Sequence, residues 1–328
     1  MNIIFCNINW MKYYNGASEK DRPRHAGVTV KDPSDVFEQN NFSDFNGKCY
    51  GYVRSGGDIL LDKHFRGVPQ GTKSMKDLTI VWCAAINDEE ARIVGWYRDA
   101  TAYKEMVSLP LYEEEYIDFS FMADAKNCVL VPEEERTFVI KTSKSSANRK
   151  GAIKSNIWYA KSEYAQREFL PRVTEYIEDY SGDSAMMLIK DLKDQLPQEE
   201  ITGHEEALLK ARESYDDENY RQAVLYYNAA RGIEDSYDAS YELANTYFKL
   251  NGYDEALEIA EKMILAHGEK VELVELAFMA SDMVLDMEKA PKYYRRLQEL
   301  EGQPLTDEEY YEYYNELQSL NRSYKQYI

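Results

Sequence analysis

Three tryptophans, Trp10, Trp96 and Trp158, each stand at a strand end or turn beside polar side chains. Asn7 and Asn9 precede the first, Tyr97, Arg98 and Asp99 follow the second, and Ser155 and Asn156 precede the third. Flat π faces beside groups that both donate and accept suit a nucleic-acid base held outside a duplex. Stacking is worth roughly 1–3 kcal/mol per base, and an amide such as that of Asn156 meets a base edge with both of its polar atoms. The carboxylate of Asp99 suits an exocyclic amine. The candidate base-binding set is therefore Trp10, Trp96, Tyr97, Asp99, Asn156 and Trp158. Residues 141–154 add Lys141, Lys144, Arg149, Lys150 and Lys154 with no acid among them. This Ser-rich stretch is the segment expected to touch phosphate, with a solvated linker as its plainer reading. Trp82, in mid-strand, reads as core.

Other chemistry is hard to place. There is no P-loop, nucleophile elbow, Gly-rich dinucleotide turn or His-paired Cys. Cys6, Cys49, Cys83 and Cys128 form no Cys-x-x-Cys, and Cys6 and Cys83 sit in apolar runs as buried, reduced thiols would. The four histidines are far apart and match no metal-ligand spacing. Asp58 and Asp62 form a carboxylate pair, but acids are so abundant that such pairs arise by chance. No enzyme activity, cofactor or metal is expected.

The elements that would position these residues come in two kinds. Of 328 residues, 44% are hydrophobic and 30% charged, which excludes wholesale disorder. The longest apolar run, Ile80 to Ile86, is far short of the ~20 residues of a membrane span. The formal charge of −20 is uneven. Residues 1–166 carry 22 Lys/Arg against 23 Asp/Glu, and residues 167–328 carry 17 against 36. All four Trp and all four Cys lie in the first part. Two modules follow, and the acidic one should repel a polyanion. The start of the chain has no basic segment followed by a small-residue cleavage site, so a cytoplasmic protein is expected.

The first module reads as short strands. They are expected over residues 1–10, 47–54, 78–86 and 92–97, with the last two forming a hairpin across Asn87–Glu90. A further pair is expected over 127–131 and 137–141. Residues 15–45 read as a long loop. Gly95, inside a strand, marks a bulge or a close approach by backbone or ligand. The runs Glu113–Glu115 and Glu133–Glu135 read as exposed turns. After Phe169 the spacing turns helical. Ala211 and Ala244, Tyr220 and Tyr253, and Ala223 and Ala256 are each 33 residues apart, and Ala256 and Ala290 are 34 apart. Small residues at fixed intervals are what stacked helix pairs require. Thr306-Asp307-Glu308-Glu309 opens a last helix as a capping box, whose tyrosines Tyr310, Tyr311, Tyr313 and Tyr314 would cap the stack.

Residues 205–300 thus resemble the tetratricopeptide family, best in Leu243-Ala244, Tyr247, Gly252-Tyr253 and Ala256. Lys210, Met287 and Pro291 depart from its pattern. Residues 1–162 are similar to the N-terminal module of HNH-type, modification-dependent restriction endonucleases. That resemblance rests on Asn7–Gly16, Tyr50–Val53, Val81–Ala84, Ile93–Tyr103 and Ser155–Ala160. More distantly they resemble the PUA-like group, including EVE domains, small barrels that hold a modified or flipped base in an aromatic pocket. No HNH domain follows, so the resemblance implies a reader without a cutter.

The expected fold is α+β in two domains. A β-rich, PUA-like barrel spans 1–162, a helical connector 163–204, and an all-α tetratricopeptide-like repeat with a capping helix 205–328. The expected function is a non-catalytic reader of a modified or flipped base in DNA or RNA through 1–162. It would recruit a protein effector, a basic one, through 205–328, as in anti-phage defence, without a membrane. The alternative is a protein–protein adaptor that binds no nucleic acid.

Overall fold

The computed structural model describes residues 2–18, 21–32, 36–110, 116–142 and 155–325. The chain divides into two compact units, one reaching Met187 and the other beginning at Leu188, with the short piece Phe45–Gly47 grouped with the second. The expected connector therefore divides. Residues 163–187 of it belong to the sheet-rich unit and residues 188–204 to the helical unit.

In the first unit, β1 (Asn2–Ile8) runs parallel to β5 (Ser74–Ala85), with Phe5 beside Val81. β5 turns back into the long β6 (Glu90–Pro110). Asn87 sets that turn, its side-chain oxygen accepting from the backbone N–H groups of Glu89 and Glu90 at 2.8 and 2.9 Å. The other strands are β2 (Arg24–His25) and β3 (Val28–Thr29), which pair with each other, β4 (Lys48–Gly51), β7 (Tyr116–Asp124), β8 (Cys128–Leu130), β9 (Val139–Lys141) and β10 (Ile157–Trp158). One helical turn, α1, spans Leu61–His64.

The main sheet runs β10-β1-β5-β6-β7-β4, with β8 and β9 also on β6. It is an open sheet among the described residues, with β10 and β4 at its ends, rather than the expected closed barrel. β6 explains this. Its 21 residues pair with β5 along one edge and with β9, β8 and β7 in succession along the other. The expected pairing of 127–131 with 137–141 is likewise replaced, since both segments pair with β6 and a 3₁₀ turn at Glu133–Glu135 separates them.

Leu78 to Ala84 is buried at every residue, the mark of a strand covered on both faces. One face carries Phe5, Val81, Ile93 and Trp96 against Phe169, Val173 and Ile177. The last two lie on α2 (Leu170–Glu178), which a π turn at Ala165–Phe169 precedes. Arg98 closes the C-terminus of α2, donating from Nη2 to the Ile177 carbonyl at 2.6 Å. The opposite face packs Trp82 against Tyr97 and Phe121. The expected long loop over 15–45 is partly built in. Asp21 accepts from the backbone N–H groups of Lys12 and Tyr13 at 2.6 and 2.7 Å, and Val36 and Phe42 are buried.

The second unit is a helical stack. After a 3₁₀ stretch at Ile189–Asp194 come α3 (His204–Asp216), α4 (Tyr220–Ile233), α5 (Tyr237–Lys249), α6 (Tyr253–His267), α7 (Val271–Met283), α8 (Lys289–Leu300) and α9 (Asp307–Lys325). Neighbours pack in chain order as three helix pairs with α9 against α8. The alanines that set the repeat, Ala211, Ala223, Ala244, Ala256 and Ala290, are all fully buried, as close approach of helix backbones demands. The capping box is formed in both directions: Thr306 N–H donates to Glu309 Oε2 at 2.8 Å and Glu309 N–H to Thr306 Oγ1 at 3.3 Å. Of the four tyrosines, Tyr313 does the covering. Its ring meets Tyr294 at 4.5 Å and its hydroxyl donates to Asp282, whereas Tyr311 is exposed.

Candidate ligand groove

The residues expected to hold a base do not line one opening. Trp96 is 1% exposed, edge-on to Tyr176 and Tyr180. Tyr97, its neighbour on β6, points to the opposite face, where its hydroxyl donates to the Asn41 carbonyl. Trp158 is half-buried between Phe5 and Phe169, with ring centres at 5.1 and 5.3 Å. Trp10 is 7% exposed, its indole N–H donating to Glu133 Oε1 at 2.8 Å and the Arg136 guanidinium 4.9 Å from its ring. Asp99 is exposed, with φ of 51°, and accepts from Asn127 Nδ2 at 3.4 Å. Asn156 is exposed and donates to the Arg54 carbonyl at 2.8 Å. Of the phosphate candidates, Lys141 is ion-paired with Glu90 at 2.5 Å, and Lys144, Arg149, Lys150 and Lys154 lie outside the described residues, as do Glu113–Glu115. Glu133 is no idle exposed turn, for it holds both Trp10 and, at 3.0 Å, Arg24.

The helical unit carries an opening that residue type alone did not single out. Ser236, Ser240, Leu243 and Tyr247 follow at spacings of four, three and four from the start of α5, which places them on one stripe. They line a groove of about 440 Å³ together with residues of α4 and α6. Lys193 and Asp194 also line it. The 3₁₀ stretch that supplies them is pinned by Asn228 of α4, which donates from Nδ2 to the carbonyls of Leu192 and Gln195 at 2.8 and 3.0 Å. Gly252 lets it pack close. A Cβ there would stand 2.7 Å from Ile189 Cγ2 and 3.3 Å from Tyr247 Cδ1.

The groove's cations are already paired. Glu258 accepts from Lys193 at 2.9 Å and Lys262 at 2.5 Å, and Arg231 meets Asp235 at 3.0 Å. Hydrogen bonds from Lys262 and then Lys193 hold the Glu258 carboxyl below the usual carboxylate range. Tyr247 is different. It is 2% exposed, its hydroxyl has no hydrogen-bond partner, and burial pushes the phenol well above its usual range. A buried polar group left so costs about 1–3 kcal/mol. The indole nitrogens of Trp82 and Trp96 and the hydroxyl of Tyr176 are unpartnered in the same way, each atom being shut off from solvent like the Tyr247 hydroxyl.

No family model and no curated protein matches this chain. Among solved structures, the TPR domain of Arabidopsis OM64 is similar to it at 18% identity and a TM-score of 0.30, covering 34% of this chain and 94% of that chain. No family is assigned on that score, and the helical unit is described by its own 33-residue repeat.

Among the described residues, no group of three or more His, Cys, Asp or Glu side chains is arranged to hold a metal ion, and no helix is long and apolar enough to cross a membrane. The four cysteines are buried free thiols, and burial pushes those of Cys6, Cys83 and Cys128 upward. Asp58 and Asp62 are engaged apart from each other, the first with Lys104 at 3.4 Å and the second accepting from Gly71 N–H at 3.1 Å.

Proposed function

We propose that the chain is a protein-interaction adaptor whose helical unit takes an extended segment of a partner protein along α5. The observation that carries this reading is the groove itself, a preformed opening lined by one stripe of α5 and by a 3₁₀ stretch that Asn228 pins. Ser236 and Tyr247 lie eleven positions apart. That is about 16 Å of helix, against about 3.3 Å per residue for an extended chain, so roughly five partner residues lie along it. The charge of the unit supports a protein over a nucleic acid, because residues 188–328 carry 31 acids against 15 bases and repel a polyanion. Base reading by residues 1–162 is the rival proposal, and it requires an aromatic slot other than Trp96 and Tyr97, which face opposite sides of the sheet inside the core.

Ala266 is exposed at the groove wall, so a bulky side chain there fills the opening without entering the core. Selection of displayed random peptides on the full chain is expected to enrich sequences that fall to background on Ala266→Trp. Enrichment that survives the substitution, or no enrichment at all, would overturn the reading.

A further inference from the structure

A second opening lies wholly within the sheet-rich unit and is independent of the α5 groove. We infer that it takes the guanidinium group of an arginine on a partner protein.

Arg172, Glu175, Tyr176, Asp179 and Tyr180 follow at spacings of three and four that place them along one side of α2 and its end. With Glu135 and Phe138 they line an opening of about 650 Å³. Three rings shape it. The centres of Phe138 and Tyr176 are 5.1 Å apart, those of Tyr176 and Tyr180 6.3 Å, and all three side chains are half-buried. Trp96 of the core meets both tyrosines edge-on. Tyr180 is also fixed by its hydroxyl, which donates to Glu135 Oε2 at 2.8 Å. The aromatic surface is therefore held in place before any ligand arrives.

The charges select the sign of that ligand. The lining holds three carboxylates, Glu135, Glu175 and Asp179, against one cation, Arg172. Glu135 accepts from Tyr180. Among the described residues the carboxylates of Glu175 and Asp179 have no partner, since Arg172 pairs with neither and has its guanidinium 5.5 Å from the Phe138 ring. Arg98, the other base at this end of α2, is held by the Ile177 carbonyl at 2.6 Å and does not line the opening. An anion would meet three like charges, whereas a cation meets two carboxylates ready to accept.

The mixture of rings and carboxylates selects the kind of cation. Rings attract a positive charge over their faces, and carboxylates require N–H donors. A quaternary ammonium has no N–H, and a primary ammonium is strongly hydrated. A guanidinium is flat and weakly hydrated, stacks on aromatic faces and forks onto carboxylates. Arg172 on Phe138 is an internal example of that stacking. A single side chain bound in this way has a Kd of about 1 mM. That is too weak to retain a displayed peptide by itself, and it adds to the affinity of a partner held elsewhere on the chain.

The test titrates Nα-acetylarginine N-methylamide, and its citrulline and lysine analogues, into the full chain and reads Kd by saturation-transfer NMR. The arginine compound is expected to bind roughly tenfold tighter than the citrulline compound, which keeps the shape and loses the charge, and tighter than the lysine compound. Glu175→Gln and Asp179→Asn change exposed side chains and should each weaken arginine binding about fivefold. Arg172→Gln should strengthen it by about twofold to fivefold, as loss of one nearby like charge does. Ala266→Trp should leave it unchanged, so that this site and the α5 groove stand or fall separately. Equal binding of the arginine and citrulline compounds, lysine binding as tight as arginine binding, or arginine binding that survives both carboxylate substitutions would overturn the inference. So would loss of binding in Ala266→Trp, or no saturation transfer from the arginine compound at roughly twenty times the expected Kd.

Discussion

Arg136→Met is expected to destabilise the sheet-rich unit by about 3–5 kcal/mol, as loss of a buried multi-partner charge does. Arg136 is fully buried, and its guanidinium serves three backbone carbonyls: Val131 from Nε at 2.9 Å, Met11 from Nη1 at 2.6 Å and Lys12 from Nη2 at 2.7 Å. Its plane also lies 4.9 Å from the Trp10 ring and 6.0 Å from that of Tyr14. One side chain therefore ties the segment after β1 to the turn after β8. Burial holds the Arg136 pKa below its usual range, yet a guanidinium stays charged at any ordinary pH, so the effect should not vary between pH 5 and 9. Methionine fills the space of the stem and leaves three carbonyls without donors. Against a typical total of about 5–15 kcal/mol, this is enough to unfold much of the unit at body temperature. Urea denaturation followed by tryptophan emission reads this unit alone, since Trp10, Trp82, Trp96 and Trp158 all lie within it. A midpoint equal to that of the parent chain would show that the three contacts contribute nothing.

Gly95→Ala is expected to cost about 2–4 kcal/mol by overpacking. A Cβ on Gly95 would stand 2.3 Å from the Val129 carbonyl oxygen on β8 and 2.6 Å from Phe42 Cζ. Gly95 pairs with β8 opposite Leu130 and with β5 opposite Trp82, so relief means moving backbone. Gly232, near the end of α4, is the control. A Cβ there meets nothing within 4 Å, and in a helix alanine gains roughly 0.5–1 kcal/mol over glycine. Gly232→Ala should thus hold or raise the thermal midpoint while Gly95→Ala lowers it. Equal midpoints for the two variants would contradict this account of Gly95.

The two units differ in how far their sequences disclose them. A helix pair announces itself through small residues at a constant offset, and Ala211, Ala244, Ala223 and Ala256 stand at crossings where only a small side chain fits. The capping box at Thr306 is equally local. In the sheet-rich unit, both faces are covered, so the alternation that separates core from surface disappears. Trp96 and Tyr97 are neighbours in sequence and adjoin opposite cores, which no reading by residue type can separate from a shared pocket. Gly95 was legible as a close approach, and the partner is backbone and Phe42, together with a register shift next to Trp82. The polar neighbours of the tryptophans had structural work that spacing does not reveal: Arg98 closes α2, and Asn156 holds the Arg54 carbonyl. The groove is not legible in the sequence for another reason. Part of its lining comes from Lys193 and Asp194 of a 3₁₀ stretch, 44 and 43 residues before the start of α5, and neither periodicity nor motif connects the two. The sequence marks Tyr247 and Gly252 as repeat positions and carries no sign that they adjoin an opening.

The most direct test of the adaptor reading is amide hydrogen exchange on the full chain, with and without the peptide most enriched by selection. The expected result is added protection in α4, α5, α6 and residues 189–194, with the exchange of β1, β5 and β6 unchanged. Protection that falls instead on the strands of the first unit, with α5 and α6 unaltered, would contradict the account.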